Sequence, residues 1–255
     1  GETKKAIELA KQCNAGGGGE ATAWVDGSKL SLENACMLNG TLADMLDWED
    51  CSCTGHPSCG IVPMAWGVAE SRKLSGRDFI TAVVVGYEVY QRIAMAVQPS
   101  LDQRTRRGWG LTSWQLFGSL VPAVKLMGHD SLQINKALSM ATTCAPIPTN
   151  LHEYTKSDVY HFEHGFRNQV AVTLARCAKL GVENLEDGID DFGAFGTLVT
   201  QERHDPSWYT RELGQRYMIM ETLLKHWPAN MWVQTPVEIV YNIVTKNGIG
   251  PEDIE

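Results

Sequence analysis

The spacing of apolar residues predicts a chain that is helical over most of its length. Residues 31–46 place Ala35, Leu38, Leu42 and Met45 on one face, with a period between three and four residues. The pattern predicts further helices at residues 4–13, 61–74, 78–97, 112–127, 131–141, 165–180 and 237–247. Residues 78–97 are apolar almost all the way round, which is typical of a central, buried helix.

Local signals mark the ends of several of these helices. Ser75 with Asp78, and Asp130 with Gln133, have the three-residue spacing of a capping box and predict helix starts. Gly248 follows the last apolar position of its helix, as glycine often does at a helix C-terminus.

Prolines and one tight turn complete the prediction of the fold class. Pro63 is expected in the first turn of its helix, and Pro122 is expected to bend the helix that contains it. The Asp26-Gly27 pair predicts a turn in a short hairpin. No alternation of strands and helices is present, so the pattern favours a mainly α, bundle-like domain.

Composition narrows the classes of partner and location. The chain has 255 residues and a formal net charge of −8, which argues against nucleic-acid or acidic-membrane partners. No run of about 18 apolar residues predicts a membrane span, and the N-terminus has no signal-peptide pattern. The seven cysteines show no disulfide framework, which predicts free thiols in a cytoplasmic location.

The densest group of reactive side chains lies in residues 47–60, DWEDCSCTGHPSCG. Cys51, Cys53, His56 and Cys59 have donor atoms that suit zinc, but the chain offers no second ligand pair of the kind that structural zinc sites use. Ordinary free thiols are therefore the favoured interpretation, and no metal is predicted. An Asp-x-x-Asp magnesium site is also disfavoured, because no second acidic patch faces it.

The same stretch also has the composition of an acid/base loop. His56 precedes a proline, which biases its backbone away from helix. Neighbouring carboxylates raise the pKa of a histidine towards neutrality, which suits proton transfer. The competing interpretation is that Asp47, Glu49 and Asp50 form a solvated helix end, and the sequence leaves both open.

Two lysines stand at polar interruptions between apolar segments. Lys156 has His152, His161 and His164 near it in sequence, and Lys225 occurs in LLKHWPAN. A lone lysine is more often a surface residue, but the histidines around Lys156 would make a positive patch in an acidic chain. Such a patch suits an anionic carboxylate substrate.

Taken together, these motifs resemble the MmgE/PrpD family. Its members carry A-N-G-T-x-A-H-x-L-D-F-D-D-T, then H-P-S, then G-x-E-V-x-x-R, and this chain has NGTLADMLDWEDC, HPS and GYEVYQR. GWGLTSWQLFGSLVPAVKLMGHD, HFEHGFRNQVAVTLARCAKLG and LLKHWPAN extend the resemblance, in the same order, over about residues 20–245.

The resemblance implies a large all-α domain followed by a smaller α+β lid, usually in a homodimer. Residues 1–222 are expected to form the N-terminal part of the helical domain and residues 223–255 the start of the lid. The α+β lid is then largely missing or only begun at the C-terminus of this sequence.

The resemblance also implies a set of site residues. It makes Asp47 the active-site aspartate, His56 a general acid/base oriented by Asp47, and Lys156 and Lys225 the groups that hold substrate carboxylates. The pocket residues that it implies are Cys51, Trp109, Thr112, Ser113, His161 and Asn230.

Three positions depart from the family pattern. Cys51 replaces a threonine, while Gly110 and Asn230 stand where dehydratases or decarboxylases of the family have histidines. His161 is a candidate to compensate for the missing histidines.

The function implied is a cofactor-independent lyase, either a hydro-lyase or a carboxy-lyase. It would act on the carbon next to a carboxylate of a small di- or tricarboxylic acid. Because two histidines are absent, an isomerase or epimerase on a similar acid is a close alternative. From other classes, a thiol-rich metal-binding module and a non-catalytic helical protein stay open.

Overall fold

The computed structural model describes residues 2–15, 17–52, 55–98, 100, 102, 114–145, 157–189, 195–200 and 204–254. Its α-helices are α1 (Glu2–Cys13), α2 (Leu32–Asp44), α3 (Ser58–Ser71), α4 (Gly76–Ala96), α5 (Gln115–Leu126), α6 (Ser131–Cys144), α7 (Val159–Lys179), α8 (Phe195–Thr200) and α9 (Gln234–Asn247). Strands β1 (Ala21–Thr22) and β2 (Lys29–Leu30) form an antiparallel pair. Short 3-10 helices span Pro206–Tyr209, Met218–Glu221, Met231–Val233 and Pro251–Asp253.

The core is built around α5, which packs against α3, α4, α6 and α7. Of its twelve residues, eleven are buried, as expected for a helix that is apolar on every side. The sequence assigned this central place to α4, and that prediction is wrong for its first half. Ile80 of α4 is 61% exposed, while its second half is buried against α5 around Tyr90.

A close crossing of α2 and α7 positions the end of α2. A Cβ atom at Gly40 of α2 would lie 3.2 Å from the Gly165 Cα atom of α7, so the two backbones nearly touch. The Asn168 side chain of α7 donates to the Cys36 carbonyl of α2 at 3.1 Å and reinforces the contact. Asp44, the last residue of α2, is therefore held against the start of α7.

Polar side chains of α4 hold the segment that follows α8. The Arg92 guanidinium donates to the carbonyls of Trp208 (3.2 Å) and Arg211 (2.7 Å), and the Gln91 amide donates to the Met218 carbonyl (2.8 Å). Because Arg92 and Gln91 are buried, these bonds satisfy groups that would otherwise be costly to desolvate. The chain that leads to residue 223 is thereby fixed along α4.

Most of the local sequence signals are confirmed. Both capping boxes form, at Ser75 with Asp78 and at Asp130 with Gln133. The hairpin forms with β1 and β2, and Gly248 ends α9 in the left-handed conformation with φ 61°.

The starts of α3 and α7 differ from prediction near the site. Helix α3 begins at Ser58, so Pro63 lies inside it rather than in its first turn. Helix α7 begins at Val159, six residues before the predicted start at residue 165, because polar residues on its first turns pack against the end of α2 rather than facing solvent. The sequence pattern misses this start, since the polar side chains there do not follow the apolar period.

The mainly α class is confirmed, with only a two-stranded sheet among the described residues. In the described part of the chain, every helix is too short or too polar to cross a membrane. The domain boundary between residues 222 and 223 stays a prediction.

The close crossing predicts that Gly165→Ala destabilises the protein. An added methyl group would meet Met37 and Thr41, and overpacking of this kind costs about 1–3 kcal/mol. Urea denaturation would measure the lost free energy of unfolding. Gly76→Ala is the matched control, since nothing lies within 4 Å of a Cβ atom there, and a loss of stability as large as that of Gly165→Ala would contradict the argument.

Candidate active site

The site begins where α2 stops. Asp47 has a left-handed backbone with φ 49°, a conformation that aspartate adopts more readily than most residues. Its N–H donates to the Asp44 carbonyl at 3.1 Å and closes a turn at the end of α2. Beyond this turn, the described residues 47–52 and 55–57 lead to the start of α3.

The Lys225 ammonium, from a segment far along the chain, binds several groups of this loop. Its ammonium donates to the Asp47 carbonyl (2.7 Å), to the Asp47 carboxylate and to the Glu49 carboxylate (2.7 Å). An ammonium has three donors, so all of them are used, and the side chain is 0% exposed. Burial lowers the pKa of Lys225, but the hydrogen bonds to the two carboxylates outweigh it and the pKa is raised.

Glu49 links Lys225 to His56. The same Glu49 oxygen lies 2.8 Å from His56 Nδ1, and the Asp50 carbonyl lies 3.1 Å from that nitrogen. Burial raises the pKa of Glu49, but His56 and Lys225 outweigh it and hold the pKa at about 2. Burial likewise lowers the pKa of His56, and the Glu49 hydrogen bond overcomes this so that the pKa is raised. Nδ1 thus carries a proton, and Nε2 is the nitrogen left for other work.

Asp50 fixes the far end of the loop. The Tyr87 hydroxyl donates to one of its carboxylate oxygens at 2.6 Å, and the Ser58 N–H donates to the other at 3.0 Å. The second bond lies at the first turn of α3, where a negative charge is favoured by the helix dipole. Glu49 and Asp50 are each only 8% exposed, so the solvated helix end considered from sequence is wrong for both.

A second cluster lies next to this loop. Asp44 is 1% exposed, and one of its carboxylate oxygens lies 3.8 Å from both Cys59 Sγ and His164 Nε2. His161 Nδ1 lies 3.3 Å from the Asp44 carbonyl. The His164 ring meets the His56 ring edge-on, with centroids 6.4 Å apart, so the two clusters are in contact.

A cavity of about 330 Å³ opens beside Glu49, a size within the usual range for small-molecule sites. Its walls are mostly apolar, with Glu49 and Ser58 as polar groups. The other lining residues are Trp24, Leu42, Ala43, Leu46, Trp48, Val62 and Pro63. The Trp48 indole N–H donates to the Lys225 carbonyl at 3.2 Å, which connects the cavity wall to the charged loop.

Three of the four predicted catalytic residues, Asp47, His56 and Lys225, come together in this loop. Their partners differ from the prediction in one respect, because Glu49 rather than Asp47 hydrogen-bonds His56. The fourth, Lys156, lies outside the described residues, as do Trp109, Gly110, Thr112 and Ser113.

The remaining predicted pocket residues have individual environments. Cys51 pairs with Leu223 through backbone bonds of 2.8 and 2.7 Å, and burial raises the pKa of its thiol to about 11. His161 lies against Asp44, as described above. The Asn230 side chain accepts from the Trp232 N–H at 3.1 Å and caps a 3-10 helix.

The zinc site considered from sequence does not form among its described members. Cys51 Sγ points to the Ser52 carbonyl, His56 is bonded to Glu49, and Cys59 faces Asp44. Cys53 lies outside the described residues.

Sequence reasoning missed the roles of Glu49, Asp44, Cys59 and His164. Glu49 lies two residues from Asp47, but nothing in the sequence says which carboxylate faces His56. The i, i+3 spacing of His161 and His164 places them on one face of α7, which is a usable signal.

The fold is a mainly α domain. Its charged loop carries carboxylates and a histidine, and a lysine from a distant segment binds the carboxylates. The chain belongs to the MmgE/PrpD family, because the family model of the MmgE/PrpD N-terminal domain matches residues 1–204. This confirms the resemblance inferred from the motifs.

Two curated relatives are similar to this chain. A cis-aconitate decarboxylase from Homo sapiens is 26% identical over 236 residues, covering 88% of this chain and 48% of the relative. The cis-aconitate decarboxylase-like protein oryM from Aspergillus oryzae is 25% identical over 209 residues, covering 75% of this chain and 42% of the relative. The chain spans about half the length of the curated relatives that it matches.

Glu49→Gln is predicted to destabilise the protein by about 3–5 kcal/mol, the usual cost of breaking a buried ion pair. It removes the anion shared by Lys225 and His56; the Glu49 and Lys225 side chains are buried, and that of His56 is 18% exposed. Urea denaturation near neutral pH would measure the change. Glu70→Gln is the control, because the Lys29–Glu70 pair is partly exposed and should contribute less than about 1 kcal/mol. Equal losses for the two variants would contradict the prediction.

The stability that Glu49 contributes should disappear in acid. Its folded-state pKa of about 2 lies below the ordinary 4.5, so the contribution is fully present above pH 4.5 and is lost as the pH falls towards 2. The difference in unfolding free energy between the wild type and Glu49→Gln should therefore shrink over this range, as followed by urea titrations at successive pH values. A difference that stays constant down to pH 2 would show that Glu49 is not held ionised by its partners.

Proposed function

We propose that the protein is a lyase that acts at the carbon next to a carboxylate of a small di- or tricarboxylic acid. The observation that carries the proposal is the Glu49–His56 pair, in which the buried Glu49 carboxylate lines an apolar cavity and is also bound by Lys225. A carboxylate that fixes one imidazole nitrogen leaves the other to transfer a proton, as in other carboxylate–histidine pairs. Membership of the MmgE/PrpD family and the decarboxylase names of the two relatives support the same class of reaction.

In this proposal His56 is the general acid/base and acts through Nε2. As a base it removes the α-proton of the substrate, and as an acid it protonates a leaving hydroxyl or the carbanion left by loss of CO2. Glu49 keeps the proton on Nδ1 and stabilises the imidazolium when it forms. These steps call on the side chains of this chain alone, in keeping with the cofactor-independent chemistry that the family resemblance implies.

Lys225 takes a different part from the one expected. Its three donors are bonded to Asp47 and Glu49 and its side chain is 0% exposed, so it does not offer a donor to a substrate carboxylate in this arrangement. We propose that Lys225 and Asp47 position Glu49 and set its charge. Substrate carboxylates are then assigned to Lys156, with Trp109, Thr112, Ser113 and Cys51 as proposed pocket residues.

The choice between elimination, decarboxylation and isomerisation is the finer part of the proposal. The printed names of the relatives favour decarboxylation. Asn230 stands where the resemblance expects a histidine, and it caps a 3-10 helix instead. The absence of that histidine supports proton movement without loss of a group. An isomerase or epimerase on a similar acid is therefore the second candidate, with His161 as the residue that would compensate.

Further expectations from the sequence stay proposals. These are a lid that starts at residue 223, a homodimer and a cytoplasmic location. A net charge of −8 disfavours the approach of a small anionic substrate. Binding of such a substrate therefore requires a local positive group such as Lys156.

The test is a panel of di- and tricarboxylic acids incubated with the purified protein in D2O and followed by NMR. We expect deuterium at the α-carbon together with loss of water or CO2, whereas exchange without net loss would identify the isomerase. His56→Ala should reduce the rate by about 10²–10⁴-fold. His226→Ala, with its side chain 75% exposed, is the control and should keep the rate.

Two results would contradict the proposal at different levels. Full turnover by His56→Ala would remove His56 from its role. Failure of every acid in the panel to exchange or react would contradict the function itself.

A further inference from the structure

The Asp44 carboxyl group is buried and has no close hydrogen bond to its side-chain neighbours; His161 Nδ1 lies 3.6 Å from its Oδ2 atom. It is 1% exposed, and its Oδ2 atom accepts no hydrogen bond from the described residues. Its Oδ1 atom lies 3.8 Å from both Cys59 Sγ and His164 Nε2. The distance to Nε2 exceeds the 2.7–3.2 Å of an N–H···O hydrogen bond. A buried carboxylate needs a compensating partner.

The hydrogen bonds of Gln115 show which nitrogen of His164 faces Asp44 without a proton. The Gln115 amide nitrogen donates to the Ser119 hydroxyl at 3.2 Å, which leaves its carbonyl oxygen as an acceptor. That oxygen lies 3.2 Å from His164 Nδ1, so Nδ1 is the donor of the neutral ring. In the neutral ring, Nε2 then has only a lone pair to offer Asp44 Oδ1, 3.8 Å away, and a cation between the two atoms would attract both.

We propose that Asp44, Cys59 and His164 bind a Zn²⁺ ion. Their donor oxygen, sulfur and nitrogen atoms all lie within 4.8 Å of one another. Zinc bonds of about 2.0 Å to oxygen and nitrogen and about 2.3 Å to sulfur give ligand separations of about 3.3–3.6 Å in a tetrahedron. The two separations from Asp44 Oδ1, 3.8 Å each, need only a small contraction, and the separation between Cys59 Sγ and His164 Nε2 is within 4.8 Å.

Charge and the surrounding hydrogen bonds fit the same ion. On binding, the Cys59 thiol gives up its proton to solvent, and the thiolate and the Asp44 carboxylate then balance the two positive charges of zinc. Gln115 holds His164 by the N–H that does not face the metal, the arrangement usual for metal-binding histidines. His161 Nδ1, 3.6 Å from the second Asp44 oxygen, is placed to support the carboxylate from outside.

This site is distinct from both earlier hypotheses. Of the four ligands considered from sequence it uses Cys59 alone, and it takes Asp44 and His164 from two other helices. It also does not depend on the proposed lyase activity, because it shares no residue with the Glu49–His56 pair. Failure of one proposal therefore leaves the other standing.

Cobalt provides the test, because Co²⁺ takes the place of Zn²⁺ and its absorption reports thiolate ligation. The purified protein, first treated with a chelator, is titrated with CoCl2 under reducing conditions. We expect binding of about one Co²⁺ per chain, tetrahedral visible bands and a near-ultraviolet thiolate-to-cobalt band, all displaced by ZnCl2. Elemental analysis after dialysis against ZnCl2 gives the stoichiometry independently.

Variants separate this site from other thiols. Cys59→Ser should abolish the thiolate band, and Gln115→Leu should weaken binding about 10–100-fold through the histidine that it orients. Cys36→Ser is the matched control, since Cys36 is also fully buried but its Sγ atom faces the Pro63 carbonyl, and it should leave the band unchanged. Circular dichroism confirms folding, and Asp44→Asn replaces Cys59→Ser if that variant does not fold.

Three outcomes would overturn the proposal. The first is that the protein retains no cobalt or zinc above background. A histidine would then be the partner that neutralises Asp44. The second is a thiolate band that persists in Cys59→Ser. The third is a band that disappears in Cys36→Ser.

Discussion

The candidate active site depends on one buried ammonium. Lys225 reaches back 178 residues along the chain to the Asp47 carbonyl and binds the carboxylates of Asp47 and Glu49 with a side chain that is 0% exposed. Desolvation raises the pKa of both carboxylates, and the Lys225 ammonium acts against this rise at each of them. Since Glu49 in turn holds His56, the charge of one lysine affects both Glu49 and His56.

Packing of the helical core brings segments that are distant in sequence together at this site. The buried Arg92 and Gln91 of α4 bind carbonyls of the segment that leads to Lys225. Gly40 and Gly165 let α2 and α7 approach until their backbones nearly touch, which places Asp44 beside His164. The hydrogen bonds and the helix crossing both use polar or small residues inside an apolar core. Few other residue types could replace them there.

Two histidines in edge-to-face contact have opposite electrostatic environments. Glu49 overcomes burial and raises the pKa of His56, whereas burial prevails at His164 and lowers its pKa. Neighbouring groups whose pKa values are pushed apart are a usual feature of sites that move protons. The arrangement thus supports a proton donor at His56 beside a neutral imidazole at His164, whose Nδ1 proton is directed to Gln115.

The sequence by itself determined the mainly α class, both capping boxes, the hairpin and the family, because these depend on local periodicity and on motifs in a fixed order. It also singled out Asp47, His56 and Lys225 as residues of one site. Only the tertiary structure decided that His56 pairs with Glu49, that Lys225 is saturated by protein carboxylates, and that Cys59 faces Asp44 instead of Cys51. Which of several nearby carboxylates pairs with a given side chain depends on how the helices cross and on a lysine far along the chain. Neither of these produces a periodic pattern in the sequence.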